Sequence, residues 1–220
     1  MLILANVAFV GSHFLMSHPL RSMMVRLLGP GGFTLIYSVI SLLLFYWVIV
    51  EFGSAPKEAG LWPDNDLFWG LASLATLVAS LLFVGSLFRN PSLPGASEKL
   101  AEQKPFGVYK ITRHPMMWGF ALWGTAHILI APRIDNFIFC GSIVFLALAG
   151  AKAQEAKKAK MIGVAWDSWL RQTTFGLRLT ALRGIDTTSW IAALTFWGIM
   201  QWSHQFLGVN GAGIFRWVAF

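Results

Sequence analysis

Charged residues and cysteines are both scarce in this chain of 220 residues. Charged residues make up 12% of the sequence, about half of the share found in soluble domains. The single cysteine, Cys140, excludes a disulfide framework within one chain. The sequence also lacks a Cys-x-x-Cys-His motif, which excludes a covalently attached c-type haem. The scarcity of charge argues against a soluble globular protein.

Long uncharged segments occupy most of the chain, which is 56% hydrophobic. They are residues 1–20, 27–50, 67–88, 114–132, 136–151 and 187–215. An α-helix needs about 20 mostly apolar residues to cross a bilayer, so these segments predict an all-α, polytopic bundle of about six transmembrane helices. We expect one integral membrane domain over residues 1–220. The first segment lacks the basic start and the small-residue cleavage site of a signal peptide, and we expect it to stay as a span.

Positive charge is concentrated in alternate connections. The connections after spans one, three and five hold 2, 5 and 7 of the 17 lysines and arginines. Because basic loops stay cytoplasmic, this distribution predicts that both termini are periplasmic in a bacterial inner membrane. The net charge of +7 is therefore attributed to topology and contact with the lipid bilayer. We expect no nucleic-acid partner, since the charges lie at membrane edges.

The basic stretch at residues 152–171 permits two interpretations. It is rich in helix formers, and it predicts a cytoplasmic amphipathic helix with lysines at the headgroups and Trp166 and Trp169 at the membrane boundary. Alternatively, it is a solvated extension of the fifth span. We expect the short segment 136–151 to continue into this stretch as helix in either case.

Histidines are the most informative polar residues in the apolar segments, because ionisable groups inside a membrane are costly and mark functional sites. The chain has five: His13, His18, His114, His127 and His204. His114 precedes Pro115, a residue suited to the first turn of a helix, and is expected at the cytoplasmic surface. His18 is expected at the interface. His204 is expected to be a hydrogen-bonded helix residue, with a role as a third ligand as the alternative.

His13 and His127 are the histidines best placed within the hydrocarbon. His13 lies roughly 10 Å from the cytoplasmic end of span one, and His127 lies roughly 20 Å beyond His114 at 1.5 Å per residue. Two neutral imidazoles from different helices suit a b-type haem in a bundle. Structural histidines and a proton or substrate pathway remain as alternatives.

The stretch "GVYKITRHPMMWGFALWGTAHIL", residues 107–129, resembles the NnrU family of bacterial membrane proteins and the related 15-cis-zeta-carotene isomerase. The likeness includes "GSHFL" in the first span and covers about residues 1–180, with the span at about 187–215 as an addition. The resemblance implies haem b (iron), with His13 and His127 as axial ligands. It also implies an association with denitrification and nitric oxide metabolism.

The resemblance bears on the haem site in two further ways. One position differs from the isomerase branch, and three residues are expected at the cytoplasmic opening of the site, called its mouth below. The isomerase branch has a cysteine three residues before its second histidine, where this chain has Gly124, so a ligand switch at that position is absent. Arg113, His114 and Arg21 are expected near the cytoplasmic mouth. There they would bind haem propionates or an acidic substrate, because arginine donates two hydrogen bonds to a carboxylate.

Three alternative functions remain open, and each uses different residues. The first is a haem-dependent cis-trans isomerase of a small hydrophobic polyene such as 15-cis-zeta-carotene. The second is a membrane methyltransferase, because "RHPMMWG" also resembles the S-adenosylmethionine-binding element of isoprenylcysteine carboxyl methyltransferases, with Trp166 and Trp169 where that group has tyrosines. The third is a non-enzymatic assembly subunit with interhelical histidine bonds. For a haem protein, the further candidate partners are nitric oxide and a redox partner.

Overall fold

A computed structural model describes residues 1–92, 98–209 and 211–218, and within them the chain is helical without a β-strand. The α-helices are α1 (Leu2–Ser17), α2 (Arg21–Ser54), α3 (Asp66–Gly85), α4 (Glu98–Glu102), α5 (Pro115–Ile130), α6 (Ile134–Gln172) and α7 (Thr187–Ser203). Short 3-10 turns lie at Gly107–Lys110, Leu179–Gly184, His204–Leu207 and Gly213–Arg216. The all-α prediction is confirmed.

Three helices of the described chain, α2, α3 and α6, are long and apolar enough to cross a bilayer, and α1 is a shorter apolar helix. Large apolar side chains on α2 point outward, and Leu35, Leu42 and Leu43 are 66%, 68% and 64% exposed. Such a continuous apolar exterior is stable when lipid rather than water surrounds it. The structure thus supports a membrane protein, while six spans remain a prediction.

The helices pack in the spatial order α2, α1, α6, α5, α3 and α7, each against the next. Helix α6 therefore lies between α1 and α5. An apolar cluster at this junction includes Phe9 of α1, Val48 of α2 and Phe139 of α6. This arrangement bears on which histidines can meet, because α1 and α5 both pack against α6.

The two longest helices each contain a break at glycine. Gly29 has a φ of 70° and precedes Pro30, which separates the basic start of α2 from its apolar part. Gly163 has a φ of 36° and bends α6 near its end. Before that bend, the helix runs without interruption from the apolar residues 134–151 into the charged stretch. The expected helical continuation of the fifth span is confirmed.

Trp166 and Trp169 lie inside the bundle. Both are fully buried, and they share a cluster with Leu81 of α3 and Tyr109. The ring centroids of Tyr109 and Trp169 are 5.9 Å apart. The expected placement of the two tryptophans at the membrane boundary is therefore wrong. The bend at Gly163 precedes this part of α6, and burial of large aromatic area beside Tyr109 stabilises the fold.

Gly124 permits the close approach of α5 and α6. A Cβ atom there would lie 3.0 Å from the Cys140 carbonyl oxygen and 2.9 Å from Cγ2 of Val144. We predict that Gly124→Ala lowers the free energy of unfolding, because overpacking typically costs about 1–3 kcal/mol. Thermal unfolding of the purified protein in detergent would measure the change.

Gly141 provides the matched control, since it is also helical and a Cβ atom there has nothing within 4 Å. Gly141→Ala should leave stability unchanged or raise it by up to about 1 kcal/mol, the usual helix preference of alanine over glycine. Equal melting temperatures for the two variants would contradict the proposed close contact at Gly124.

Candidate functional site

The segment before α5 is joined to the loop that follows α6. The Arg113 amide donates to the Thr174 carbonyl at 2.8 Å, and the Arg178 amide donates to the Ile111 carbonyl at 2.9 Å. Side chains add to this pairing: the hydroxyl of Thr112 and the indole N–H of Trp118 both donate to the Phe175 carbonyl at 2.7 Å. These hydrogen bonds hold the Thr-Arg-His-Pro segment, residues 112–115, which forms the entrance to α5, against the loop after α6.

Glu155 of α6 lies at the centre of this region. Its Oε1 is 2.5 Å from Nε of Arg113 and 3.2 Å from Nε2 of His114. Its Oε2 is 3.1 Å from Nζ of Lys152. The Arg113 guanidinium also donates to the Thr173 carbonyl at 2.9 Å. The acid that Arg113 binds in this structure is therefore a residue of the chain itself.

The reasoning from sequence did not single out Glu155. A signal was nevertheless present, because it is the one acidic residue between Asp135 and Asp167, within a strongly basic stretch. A lone carboxylate among lysines, following an apolar span, has many possible partners in sequence. Its pairing with a motif 42 residues away requires the packing of α5 against α6.

Glu155 lies beyond the apolar part of α6, and its carboxyl is ionised at neutral pH. Burial opposes ionisation, but hydrogen bonds from His114, Arg113 and Lys152 outweigh that effect and lower the pKa of Glu155 from 4.5 to about 2. An ionised carboxylate can only accept, so Nε2 of His114 carries the hydrogen in this contact.

His13 faces α2. Its Nδ1 donates to the Phe9 carbonyl at 2.7 Å. Its ring contacts Phe9 at a centroid distance of 4.5 Å and Tyr37 of α2 at 5.4 Å. The residue is half-buried in this aromatic surrounding.

His127 faces the segment that follows α7. Its Nδ1 donates to the Trp123 carbonyl at 2.8 Å. Its ring lies 6.1 Å from the ring of His204, with an angle of 22° between the planes. Nδ1 of His204 donates to the Met200 carbonyl at 2.6 Å. The histidine that the fold brings to His127 is thus His204.

The described contacts do not join His13 to His127. Phe9, which contacts the His13 ring, and Trp123, which contacts the His127 ring, both belong to the apolar cluster that contains Phe139 of α6. Within the described residues, no group of three or more His, Cys, Asp or Glu could hold a metal ion. The ligation of a haem by His13 and His127 stays a prediction.

The described contacts of Arg21 and His18 are with residues other than Arg113 and Glu155, and Arg21 lies within electrostatic range of Lys157 of α6. The Arg21 guanidinium carbon is 5.4 Å from the centroid of the Phe33 ring, and its buried Nε has no hydrogen-bond partner among the described atoms. His18 is exposed, with Nδ1 3.3 Å from the Phe14 carbonyl. A role for Arg21 at the mouth of a site remains a prediction.

Comparison with known proteins identifies one family. The family model described as NnrU protein matches residues 1–211, and so extends through the whole of α7. No curated protein and no solved structure matches the chain. The relationship to zeta-carotene isomerase stays a prediction.

We predict that Glu155→Gln destabilises the protein at neutral pH by about 3 kcal/mol, because removing one partner of a buried ion pair leaves the other uncompensated. The pKa of Glu155 is lower in the folded protein than in the unfolded chain. Its ionised form therefore stabilises the fold above pH 4.5, and this contribution disappears as the pH falls towards 2.

Thermal unfolding of both proteins between pH 7 and pH 3 would measure the effect. The difference in melting temperature between wild type and Glu155→Gln should shrink below pH 4.5. The control is Glu58→Gln, which changes an exposed carboxylate in the loop after α2. A difference that stays constant with pH would contradict the role of the ionised carboxylate.

Proposed function

This chain belongs to the NnrU family, and we propose that it is a haem-b-binding integral membrane protein in which His127 is an axial ligand. The proposal keeps one ligand that the sequence resemblance implies and assigns the other to His204 in place of His13. The observation that supports it is the spacing of the His127 and His204 rings.

The hydrogen bonds of both residues favour metal binding. Each Nδ1–H donates to a carbonyl of its own helix, one turn earlier. This bond fixes the tautomer in which Nε2 has a free lone pair, and it orients the ring, as in most metal-binding histidines. His13 has the same type of bond, so the donor chemistry alone does not select the pair.

The spacing of the rings supports the pair His127 and His204. Metal–imidazole bonds are about 2 Å long, so two imidazoles on opposite sides of one iron have ring centres roughly 6 Å apart. His127 and His204 have a centroid separation of 6.1 Å. His13 instead contacts rings on α1 and α2.

Ligation by two histidines favours electron transfer. A haem in this position would supply one-electron redox chemistry, with its potential tuned by the axial ligands and their surroundings. If His127 and His204 both held the haem, they would leave no free position for nitric oxide or a polyene. We therefore propose electron transfer as the contribution to nitric oxide metabolism.

The predicted topology indicates where the redox partner would bind. His127 lies in the last turn of α5, and His204 follows the end of α7. With both termini in the periplasm, these helix ends lie near the periplasmic face of the inner membrane. The proposed partner therefore approaches from the periplasm.

The methyltransferase alternative has less support from the geometry. Its binding element would include Arg113 and His114, but Arg113 is paired with Glu155. The cavity beside His114 has a volume of about 20 Å³, the size of a single water molecule. S-adenosylmethionine would need a rearrangement of the Arg113–Glu155 pair.

We predict that the purified protein shows a Soret band and sharp bands after reduction with dithionite. His127→Ala and His204→Ala should each lose haem or change the reduced spectrum, because each removes one axial bond. The measurement is the optical spectrum of oxidised and reduced protein from haem-replete cells, with haem quantified as the pyridine haemochrome.

Two further variants make the test decisive. His18→Ala removes an exposed histidine near the end of α1 and should leave the spectrum unchanged. His13→Ala distinguishes the ligand sets: an unchanged spectrum supports His204, whereas loss in His13→Ala with an unchanged His204→Ala would restore the pair implied by resemblance. A colourless wild-type protein would overturn the haem proposal.

A further inference from the structure

His114 has one engaged and one unsatisfied ring nitrogen. The residue is 2% exposed, and its Nε2 lies 3.2 Å from the Glu155 carboxylate. Its buried Nδ1 has no hydrogen-bond partner among the described atoms. Because the carboxylate accepts the hydrogen on Nε2, an imidazole with one ring hydrogen would have a bare lone pair on Nδ1. A buried acceptor without a partner costs free energy unless something binds it.

A small cavity lies beside this imidazole. Its volume is about 20 Å³, enough for one water molecule or one metal ion. The side chains around it are Asn90, Ser92, His114, Met116, Met117 and Gln154. Of the described side chains that line it, His114 has the one buried polar atom without a hydrogen-bond partner. Two methionines of the first turn of α5 supply the apolar part of the wall.

We propose that this cavity is a binding site for Cu(I), with His114 and the thioethers of Met116 and Met117 as ligands. Thioether sulfur is a soft ligand that selects Cu(I), and imidazole also binds copper. The three candidate ligands come from four consecutive residues around Pro115, and the short helical turn that contains them is fixed by the pairing with the loop after α6.

Glu155 completes the arrangement. Metal-binding histidines usually donate their second ring N–H to a carboxylate or carbonyl, which fixes the ring and raises its basicity. The Glu155–His114 contact has this form. Glu155 is in turn held by Arg113 and Lys152, so the imidazole cannot turn without breaking an ion-pair network.

The local charge favours a monovalent over a divalent ion. Arg113 and Lys152 contribute two positive charges, and Glu155 contributes one negative charge. A site for Zn²⁺ usually has three or four nitrogen, sulfur or carboxylate ligands from the protein, whereas this cavity offers one imidazole and two neutral thioethers beside the uncharged polar side chains of Asn90, Ser92 and Gln154. Hard cations such as Mg²⁺ require oxygen ligands with open coordination, and the single carboxylate nearby is already engaged.

The test measures Cu(I) bound to the full chain in detergent under ascorbate. Equilibrium dialysis against a Cu(I)-chelator buffer, with metal analysis of the protein, avoids interference from haem absorbance. We predict one Cu(I) per wild-type chain and at least tenfold weaker binding in Met116→Leu/Met117→Leu. Leucine is close to methionine in volume, so this variant keeps the packing, and its melting temperature would verify that it folds.

The matched control is Met23→Leu/Met24→Leu, which changes the other pair of adjacent methionines in the chain. It should bind Cu(I) as tightly as wild type. X-ray absorption at the copper edge should show sulfur neighbours in wild type and in this control, and lose them in Met116→Leu/Met117→Leu. Equal weakening in both double variants, or no binding by wild type, would overturn the proposal and leave a cavity for water alone.

Copper and haem are measured separately, because Cu(I) is read by metal analysis and haem by absorbance. Either proposal can therefore fail without the other. His127→Ala should retain the Cu(I) affinity of wild type, since His127 lies in the last turn of α5 and the cavity lies at its first turn.

Discussion

The Glu155 carboxylate is the interaction on which the charged end of the bundle depends. It joins α6 to the entrance of α5 through Arg113 and His114. Arg113 continues the connection to the loop after α6 by donating to the Thr173 carbonyl. Removing the carboxylate would leave a buried guanidinium without its counter-charge, which costs more than a surface ion pair. The Arg-His-Pro motif therefore has a structural role that does not depend on any ligand.

The helical elements follow closely from the sequence, because they depend on local patterns. Each predicted span corresponds to an α-helix, and the fifth continues into its charged extension as expected. The position of Trp166 and Trp169 was wrong for a physical reason. Their spacing indicates that they share a helix face, but the packing after the bend at Gly163 decides whether that face meets lipid headgroups or the apolar cluster that contains Tyr109.

The candidate sites were less predictable, because they depend on contacts between distant parts of the chain. His127 was identified from its depth in an apolar helix, but its neighbour His204 belongs to another helix end. Glu155 was missed although its carboxylate organises the entrance. Residue type and depth restrict the candidates, whereas the order of helices determines which candidates meet. Here α6 packs against both α1, which carries His13, and α5, which carries His127.

The orientation of α5 about its own axis determines the positions of both proposed sites. Thirteen residues at about 100° each place His114 and His127 on nearly opposite faces of the helix. The first accordingly meets Glu155 of α6, and the second meets His204 beyond α7.

Two glycines fix this orientation of α5. A Cβ atom on Gly119 would lie 3.1 Å from the Ala79 carbonyl oxygen of α3, and one on Gly124 would lie 3.0 Å from the Cys140 carbonyl oxygen of α6. Close backbone contact on both sides holds α5 between α3 and α6, as small residues do in membrane bundles. A rotation of α5 about its axis would therefore displace both imidazoles together. The packing of this one short helix thus sets the geometry at both ends of the bundle.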